Sequence, residues 1–206
     1  SIENDPQLSK YFFELLDGGI AIEINHQREI AGRQIAESKK LNKCQIEAFS
    51  KAFSSRNYYL IQGPPGTGKT LVLAYLAEAL AREGRRVLVT ASTHRAINNA
   101  LVTIGKETRF SNLIKIGQLE YADDLEYSGG KVANYGDINS SPFSINSQGV
   151  IIGATCYALR TKRLQEMSFD TVIFDEAGQV TLPLAFAGMM AGTKHIFIGD
   201  HKQMPP

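Results

Sequence analysis

The fold of this chain is decided by the stretch Gly63-Pro64-Pro65-Gly66-Thr67-Gly68-Lys69-Thr70. An apolar run at residues 58–61 precedes it, and a helical pattern at residues 71–77 follows it. Strand, glycine-rich loop and helix in this order are the setting in which G-x-x-x-x-G-K-[ST] forms a phosphate-binding loop. We therefore predict an α/β fold, a parallel β-sheet flanked by helices on both faces.

The residue types of this loop match the chemistry of a triphosphate. Its glycines can adopt backbone angles that are closed to other residues, so successive N–H groups turn inward and form an anion nest. Lys69 supplies a point charge for the β- and γ-phosphates, and the Thr70 hydroxyl is placed to ligate Mg²⁺. The alternative, a glycine-rich turn with a solvated lysine, does not explain the flanking strand and helix. We predict that the chain binds a nucleoside triphosphate together with Mg²⁺, and the family resemblance described below implies that the nucleotide is ATP.

Composition narrows the class of protein. A length of 206 residues suits one domain, or one domain with an appendage, and 43% hydrophobic residues suit a globular core. The formal net charge of +1 means that local contacts, not a basic surface, have to hold any nucleic acid. No apolar run reaches the length of a membrane span, and we expect no membrane association and a cytoplasmic location. Cys44 and Cys156 are expected to be reduced thiols.

Residues 1–40 differ from the rest of the chain. Apolar side chains recur at helical spacing in residues 8–16, until Asp17-Gly18-Gly19 interrupts the pattern. A second helix is predicted from Ile20 to about Ser38, and its apolar face is thin. We interpret residues 1–40 as a helical N-terminal arm or stalk, with a poorly ordered arm as the alternative.

Residues 41–206 are predicted to form the nucleotide-binding domain. Within them, residues 106–149 are rich in polar and small residues and are interpreted as a long surface insertion, apart from a short strand at residues 113–116. Three aromatic residues of the insertion either stack on bases or attach the loop to the core. They are Tyr127, Tyr135 and Phe143.

Gln45 has two interpretations. Asn42 followed by Gln45 is the pattern of a capping box that opens a helix running to about Phe53. An amide also carries both a donor and an acceptor, so Gln45 could instead pair with the edge of an adenine base.

Polar residues follow three buried strands. Ser92 and Thr93 come after the first and can cap the next helix or bind a phosphate backbone. Asp175 and Glu176 come after a later strand, where they can simply cap the next helix. Alternatively, they act on the nucleotide. Asp175 would then be the Mg²⁺ partner opposite Thr70, and Glu176 would polarise the attacking water. A third polar tip follows residues 194–199. We expect neighbouring strands to bring these tips side by side at the carboxyl edge of the sheet.

These motifs together resemble superfamily 1 helicases, in the branch that includes the nonsense-mediated-decay RNA helicase and senataxin. Residues 63–70 match motif I, Asp175-Glu176-Ala177-Gly178-Gln179 matches motif II, and Gly199 to Pro206 match motif III. Residues 92–98 stand at motif Ia, although His94-Arg95 departs from the usual pattern, and Gly153-Ala154-Thr155 stands at motif Ib/Ic. The resemblance covers residues 41–206.

The resemblance implies a RecA-like P-loop NTPase fold and assigns further roles. Gln45 would read adenine, Gln203 would sense the γ-phosphate, and Thr93 and Thr155 would contact single-stranded DNA or RNA. The implied catalytic residues are Lys69, Glu176 and Gln203. The implied nucleotide contacts are Gln45, Gly63, Pro64, Pro65, Gly66, Thr67, Gly68, Lys69, Thr70 and Leu71, the metal ligands are Thr70 and Asp175, and the nucleic-acid contacts are Ser92, Thr93, His94 and Thr155.

The resemblance also implies a partner. The family has a second RecA-like domain that carries arginines reaching the γ-phosphate, and this sequence stops within motif III. We therefore interpret the chain as the first motor domain of a longer helicase, expected to hydrolyse ATP poorly alone. The rival interpretations are a ring-forming AAA+ ATPase, and a non-motor module that binds ATP only as a ligand.

Overall fold

The computed structural model describes residues 19–122, 124–164 and 167–200. The α-helices are α1 (His26–Ser38), α2 (Lys43–Ser54), α3 (Lys69–Arg82), α4 (His94–Thr108) and α5 (Leu182–Met189). The strands are β1 (Tyr58–Gln62), β2 (Arg86–Thr90), β3 (Leu113–Ile116), β4 (Glu126–Tyr127), β5 (Gly130–Lys131), β6 (Ala133–Tyr135), β7 (Val150–Gly153), β8 (Phe169–Phe174) and β9 (Gly192–Gly199). Short 3₁₀ helices span Leu119–Tyr121, Ile138–Ser140, Ala158–Arg160 and Ala177–Gln179.

Seven strands form one parallel sheet in the order β1-β9-β8-β2-β7-β3-β6, and β4 pairs with β5 in a small antiparallel ribbon. Alternate residues of β2 enter different cores: Val87 and Val89 pack with the helices α1 to α4, whereas Leu88 packs on the other face. That second face is covered by α5 and by irregular segments that include Leu164 and Met167. Because both faces are covered, the central strands β2 and β7 carry apolar residues on both faces, as the sequence predicts. This confirms the α/β fold.

The N-terminal part of the chain packs on the domain. Helix α1 lies against α2, and its Ala36 is fully buried in the same core as α2 and α3. The predicted start at Ile20 is wrong: α1 begins at His26, because the Asn25 side chain accepts a hydrogen bond from the Arg28 amide and caps the helix. Residues 1–18 lie outside the described residues.

The segment at residues 106–149 differs from a surface insertion. It contributes β3 and β6 to the main sheet, with Ile114 of β3 paired to Ala133 of β6 and to Ile152 of β7. Tyr127 contacts the α4 residue Gly105, so it attaches the β4–β5 ribbon to the core. Tyr135 and Phe143 are likewise packed against the second core. In the residues that the structure describes, no helix has the length and apolarity of a membrane span.

Candidate nucleotide site and adjoining groove

The glycine-rich loop has the backbone that its sequence predicts. Gly66 and Gly68 both have φ of +80°, in the left-handed region that residues with a side chain avoid. Helix α3 begins immediately afterwards, at Lys69, and no side chain caps its N-terminus. Its first amides therefore remain available to an anion at the positive end of the helix dipole.

The Lys69 ammonium bridges the two ends of this loop. Its Nζ donates to the carbonyl oxygens of Gly63 at 2.6 Å and Pro64 at 3.0 Å. The Thr67 hydroxyl donates to Pro64 as well, at 2.8 Å. These contacts hold the charge at the mouth of the loop, where phosphate oxygens could take over the place of the carbonyls.

The acidic pair follows β8. Asp175 is 6% exposed, its amide donates to Thr90 of β2 at 2.8 Å, and its Oδ1 accepts from the Glu176 amide at 3.0 Å. Burial, with a smaller contribution from the Glu176 charge, raises the pKa of Asp175 to about 6, and the Glu176 amide and the Lys69 charge limit the rise. Neither carboxylate caps the next α-helix, since α5 starts only at Leu182.

The three strands that end in polar tips, β9, β8 and β2, are neighbours in the sheet, as expected, but β1, which leads into the phosphate loop, is not adjacent to β8, which leads into the acidic pair. Strand β9 lies between β1 and β8. The two loops nevertheless converge because β9 ends in Gly199, which has no side chain to keep them apart. A Cβ at Gly199 would lie 3.0 Å from the Gly178 nitrogen and 3.2 Å from the Ala177 nitrogen, so motif II runs directly over the end of β9.

The convergence forms one cavity of about 370 Å³. It brings together Lys69 and Thr70 of the phosphate loop with Asp175 and Glu176. Asn99, on α4, also lines it, and the sequence motifs gave no signal for this residue. The remaining lining residues are Pro65, Gly66, Gly68 and Gly199.

The types of side chain that line this cavity are suited to binding Mg²⁺. This ion is usually held by one or two carboxylates together with hydroxyl, phosphate and water oxygens. A buried carboxylate with a raised pKa, in the same cavity as the Thr70 hydroxyl, is a group whose charge a bound cation would stabilise. Thr70 and Asp175 are the residues that would hold the ion.

Gln45 forms the predicted capping box and also contacts the phosphate loop. Its side-chain Oε1 accepts a hydrogen bond from the backbone N–H of Asn42 at 3.0 Å, and the backbone N–H of Gln45 donates to Asn42 Oδ1 at 3.0 Å. Its Nε2 donates to the Thr67 carbonyl at 3.0 Å and lies against Gly68, where a Cβ would come within 2.4 Å. The capping interpretation is confirmed, and the side chain that would read adenine lies beside the loop.

A second cavity, of about 550 Å³, lies at the same edge of the sheet. It brings together all four predicted nucleic-acid residues, because β2 and β7 are adjacent and end in register, Val89 opposite Gly153. These residues are Ser92, Thr93, His94 and Thr155. We call this cavity the groove.

The two threonines of the groove also have structural roles. Thr93 accepts from the Ala96 amide at 3.2 Å and caps α4, and Thr155 accepts from the Ala158 amide at 3.3 Å. In both bonds the hydroxyl is the acceptor, so its own O–H can still donate to another acceptor. Capping and a contact with a phosphate oxygen are therefore compatible in the same side chain.

Sequence reasoning missed the rest of the groove. His94 stacks on Tyr121, with ring centroids 4.3 Å apart, and Tyr157 is 65% exposed at the rim. Arg163 supplies a positive charge. Burial lowers the pKa of His94, and the Lys115 and Arg163 charges lower it further. Tyr121 lies in the segment interpreted as an insertion, where no periodic pattern singles it out. Gln203 lies outside the described residues.

Comparisons with known proteins agree with this geometry. A family model described as "AAA domain" matches residues 40–206. The DNA replication ATP-dependent helicase/nuclease DNA2 of Saccharomyces cerevisiae is 36% identical over 180 residues, which cover 84% of this chain and 11% of that protein. The human DNA2 protein is 31% identical over 173 residues, covering 82% of this chain and 16% of that protein.

Among solved structures, the UvsW helicase from bacteriophage T4 is similar. Its TM-score is 0.56 at 17% identity, and the likeness covers 77% of this chain and 52% of that one. At this identity the likeness supports the fold alone, a RecA-like P-loop domain. The chain spans a small fraction of the length of its curated relatives. Because the family model matches most of its residues, this chain belongs to the AAA domain family.

Proposed function

We propose that this chain is the first motor domain of an ATP-dependent superfamily 1 helicase, which hydrolyses ATP to translocate on single-stranded DNA or RNA. One observation carries the proposal. The cavity that contains Lys69, Thr70, Asp175 and Glu176 lies at the same edge of the sheet as the groove that contains the predicted nucleic-acid residues. Curated relatives named as ATP-dependent helicases support this assignment.

Each residue of the cavity has a defined task in this proposal. The loop amides and Lys69 bind the β- and γ-phosphates, and Thr70 and Asp175 hold Mg²⁺. When bound, Mg²⁺ neutralises charge that develops on the phosphate oxygens. Glu176 orients the attacking water and accepts its proton. Its backbone is in the left-handed region, with φ of +49°.

Helix α4 links the two cavities. Thr93 and His94 at its N-terminus line the groove, and Asn99, less than two turns later, lines the nucleotide cavity. A rigid helix that contacts both ligands is a physical means by which the occupancy of one site can bias the other. Gln203 is proposed to sense the γ-phosphate, as the helicase resemblance implies.

The proposal includes a second RecA-like domain that supplies arginines to the γ-phosphate. An arginine in this role contributes on the order of 10³- to 10⁵-fold to the rate of phosphoryl transfer. Alone, the chain is expected to bind ATP and Mg²⁺, to hydrolyse slowly and to unwind nothing. Membership in the nonsense-mediated-decay and senataxin-like branch and a cytoplasmic location stay predictions. The curated relatives quoted above are DNA2 helicase/nucleases.

The decisive experiment compares the chain with its Lys69→Ala variant. We expect ATP·Mg²⁺ binding by the chain, loss of that binding in the variant, and turnover that single-stranded nucleic acid barely raises. Adding the second domain in one polypeptide should raise turnover by orders of magnitude. Robust stimulated turnover by the chain alone, or ATP affinity that survives Lys69→Ala, would contradict the proposal.

Of the two rival interpretations, the family description favours a ring-forming ATPase of the AAA+ type over a non-motor module. That class works as hexamers, whereas a superfamily 1 motor domain is expected to remain monomeric. Sedimentation of the chain with ATP and Mg²⁺ separates the two, and a hexamer would favour the rival.

A further inference from the structure

A third cavity lies at the opposite edge of the sheet from the nucleotide site. Its volume is about 290 Å³, and it is bounded by the starts of β8 and β9, the start of α1 and the end of α2. Four basic residues and one acidic residue line it, an excess of positive charge in a chain whose net charge is only +1. They are Arg28, Arg56, Arg85, Lys194 and Asp170.

Lys194 is the central group of this cavity. It is 8% exposed, and its Nζ donates to the Phe53 carbonyl near the end of α2 at 3.0 Å. An ammonium has three donors, and this bond uses one of them. In the described part of the chain, no carboxylate lies within ion-pair distance of Lys194. A buried ammonium without a counter-ion is costly, so the cavity favours either a neutral amine or a bound anion.

The acidic residue does not cancel the excess charge. Asp170 accepts from the Arg86 amide at 2.8 Å and lies 3.6 Å from Arg85 and 3.8 Å from the Arg86 guanidinium. Its charge is thus shared with Arg86, which does not line the cavity. The carboxylate of Glu83 is likewise held by Arg28, with two bonds of 2.7 and 3.1 Å. Arg56 and Lys194 remain as cations without an acidic partner among the described residues.

We propose that this cavity binds a phosphate group, either a free anion or a phosphate of a nucleic-acid strand. The volume is at the lower end of the range of ligand pockets, which suits a small tetrahedral anion. Arginine and lysine side chains together provide the charged donors that phosphate oxygens accept. The Asn25 side-chain amide and the Thr171 hydroxyl also line the cavity as neutral polar groups. The hydroxyls of Ser54, Ser55 and Thr193 line it too, but each donates to a backbone carbonyl.

The site should depend on pH in a defined direction. Burial, together with the Arg28 and Arg85 charges, lowers the pKa of Lys194 to about 7, and Glu83 opposes the shift. A bound anion favours the protonated amine, so affinity should be highest below pH 7 and fall as the pH rises above it. The other charged groups that face Lys194 are guanidinium and carboxylate groups. They are Arg28, Arg56, Arg85, Asp170 and Glu83.

The test uses sulfate, whose charge does not change in this pH range, and the Lys69→Ala chain, in which the phosphate loop no longer competes. Calorimetric titration at constant ionic strength and pH 6.0 should show one saturable site. Affinity should fall roughly thirtyfold between pH 6.0 and 8.5, in proportion to the protonated fraction of Lys194. Arg56→Gln should weaken binding about tenfold or more, as expected for loss of a charge-assisted hydrogen bond.

Arg33→Gln is the matched control. Arg33 is exposed on α1 and lies outside the cavity, so the variant has the same change of charge without the local contact. Lys194→Met keeps the apolar stem and should abolish binding if the variant folds. Absence of saturable binding at pH 6.0, or equal affinity in the Arg56 and Arg33 variants, would overturn the proposal.

The source of the phosphate group is distinguished with oligonucleotides that lack terminal phosphates. If Arg56→Gln weakens their binding and Arg33→Gln does not, the cavity holds a strand phosphate. If both variants bind the oligonucleotide as the parent does while sulfate binding is lost only in Arg56→Gln, the ligand is a free anion.

Discussion

The carbonyl oxygen of Gly199 accepts a hydrogen bond from the amide of Gly63 at 3.2 Å. The last residue of β9 is thereby bonded to the first residue of the phosphate loop, while motif II crosses its other side at Ala177 and Gly178. Strand β9 therefore separates the phosphate loop from motif II and also sets the distance between them. Because Gly199 has no side chain, motif II passes close to the end of β9, and this places Asp175 beside the phosphate loop.

Gly199→Ala should impair hydrolysis more than nucleotide binding. The added methyl group would lie 3.0 Å from the Gly178 nitrogen, so the backbone of motif II has to shift by a few tenths of an ångström. A shift of this size moves Asp175 and Glu176 relative to the phosphates, and we expect roughly a tenfold loss of turnover. Single-turnover hydrolysis and ATP affinity, measured separately, check this.

Gly136→Ala is the control for this variant. In the described part of the chain, no atom beyond the two neighbouring residues lies within 4 Å of a Cβ built at Gly136, so this substitution should leave turnover unchanged. Equal turnover in the two alanine variants would show that the close approach at Gly199 has no role in catalysis.

Asp175→Asn should make the chain more stable at neutral pH and unable to use Mg²⁺. The pKa of Asp175 is raised from 3.8 to about 6 by burial, so its contribution to stability is full below pH 3.8 and is lost as the pH rises through 6. A shift of this size corresponds to about 3 kcal/mol at pH 7.5. Asparagine keeps the acceptor for the Glu176 amide, so the variant removes the charge and retains that bond.

Urea unfolding between pH 4.5 and 7.5, without nucleotide or Mg²⁺, measures this effect. The difference in the free energy of unfolding between variant and parent should grow with pH. A difference that stays constant over this range would contradict the titration of Asp175 in the folded state.

Several features of the fold could be read from the sequence because they depend on local rules. The glycine-rich loop, the capping box at Asn42 and the short strand Leu113–Ile116 each follow from residue types at fixed spacing. The apolar runs of β2 and β7 also indicated burial on both faces. The residues of the two cavities at the carboxyl edge were found because parallel strands all end at that edge.

The order of the strands could not be read from the sequence. The residues of β9 carry no local signal that this strand lies between β1 and β8, because strand order depends on how the helices cover the whole sheet. Strand β6 was missed because three residues, Ala133–Tyr135, give no periodic signal. The groove residues Tyr121 and Tyr157 were missed for the same reason, since Tyr121 lies in a three-residue 3₁₀ helix and Tyr157 directly precedes another.

Substitutions at Gln45 separate its two roles. Glutamate at this position can still accept from the Asn42 amide and so keep the capping box, but it cannot donate a hydrogen bond to an adenine or to Thr67. We expect Gln45→Glu to lose the preference for ATP over GTP with little change in stability. Gln45→Ala should lose the same preference and, in addition, about 1 kcal/mol of stability with the cap. Competition binding with the two nucleotides, together with thermal unfolding, measures both effects, and a preserved ATP preference in Gln45→Glu would leave only the capping role.

We expect the groove to bind single-stranded nucleic acid through two contributions that can be measured separately, base stacking on an aromatic ring and attraction between a cation and the phosphates. Tyr157 is 65% exposed, so Tyr157→Ala should not affect folding, and the loss of one stacked base should weaken strand binding by about 1–3 kcal/mol. Arg163→Gln removes one cation of the groove and should reduce the slope of log affinity against log salt by about 0.7. Tyr157→Ala should leave this salt slope unchanged, because it removes a ring and no charge. Fluorescence anisotropy with a single-stranded oligonucleotide at four salt concentrations measures both quantities. If neither variant changes affinity while Lys69→Ala still abolishes ATP binding, the strand follows a different surface, and the two cavities at this edge of the sheet do not act together.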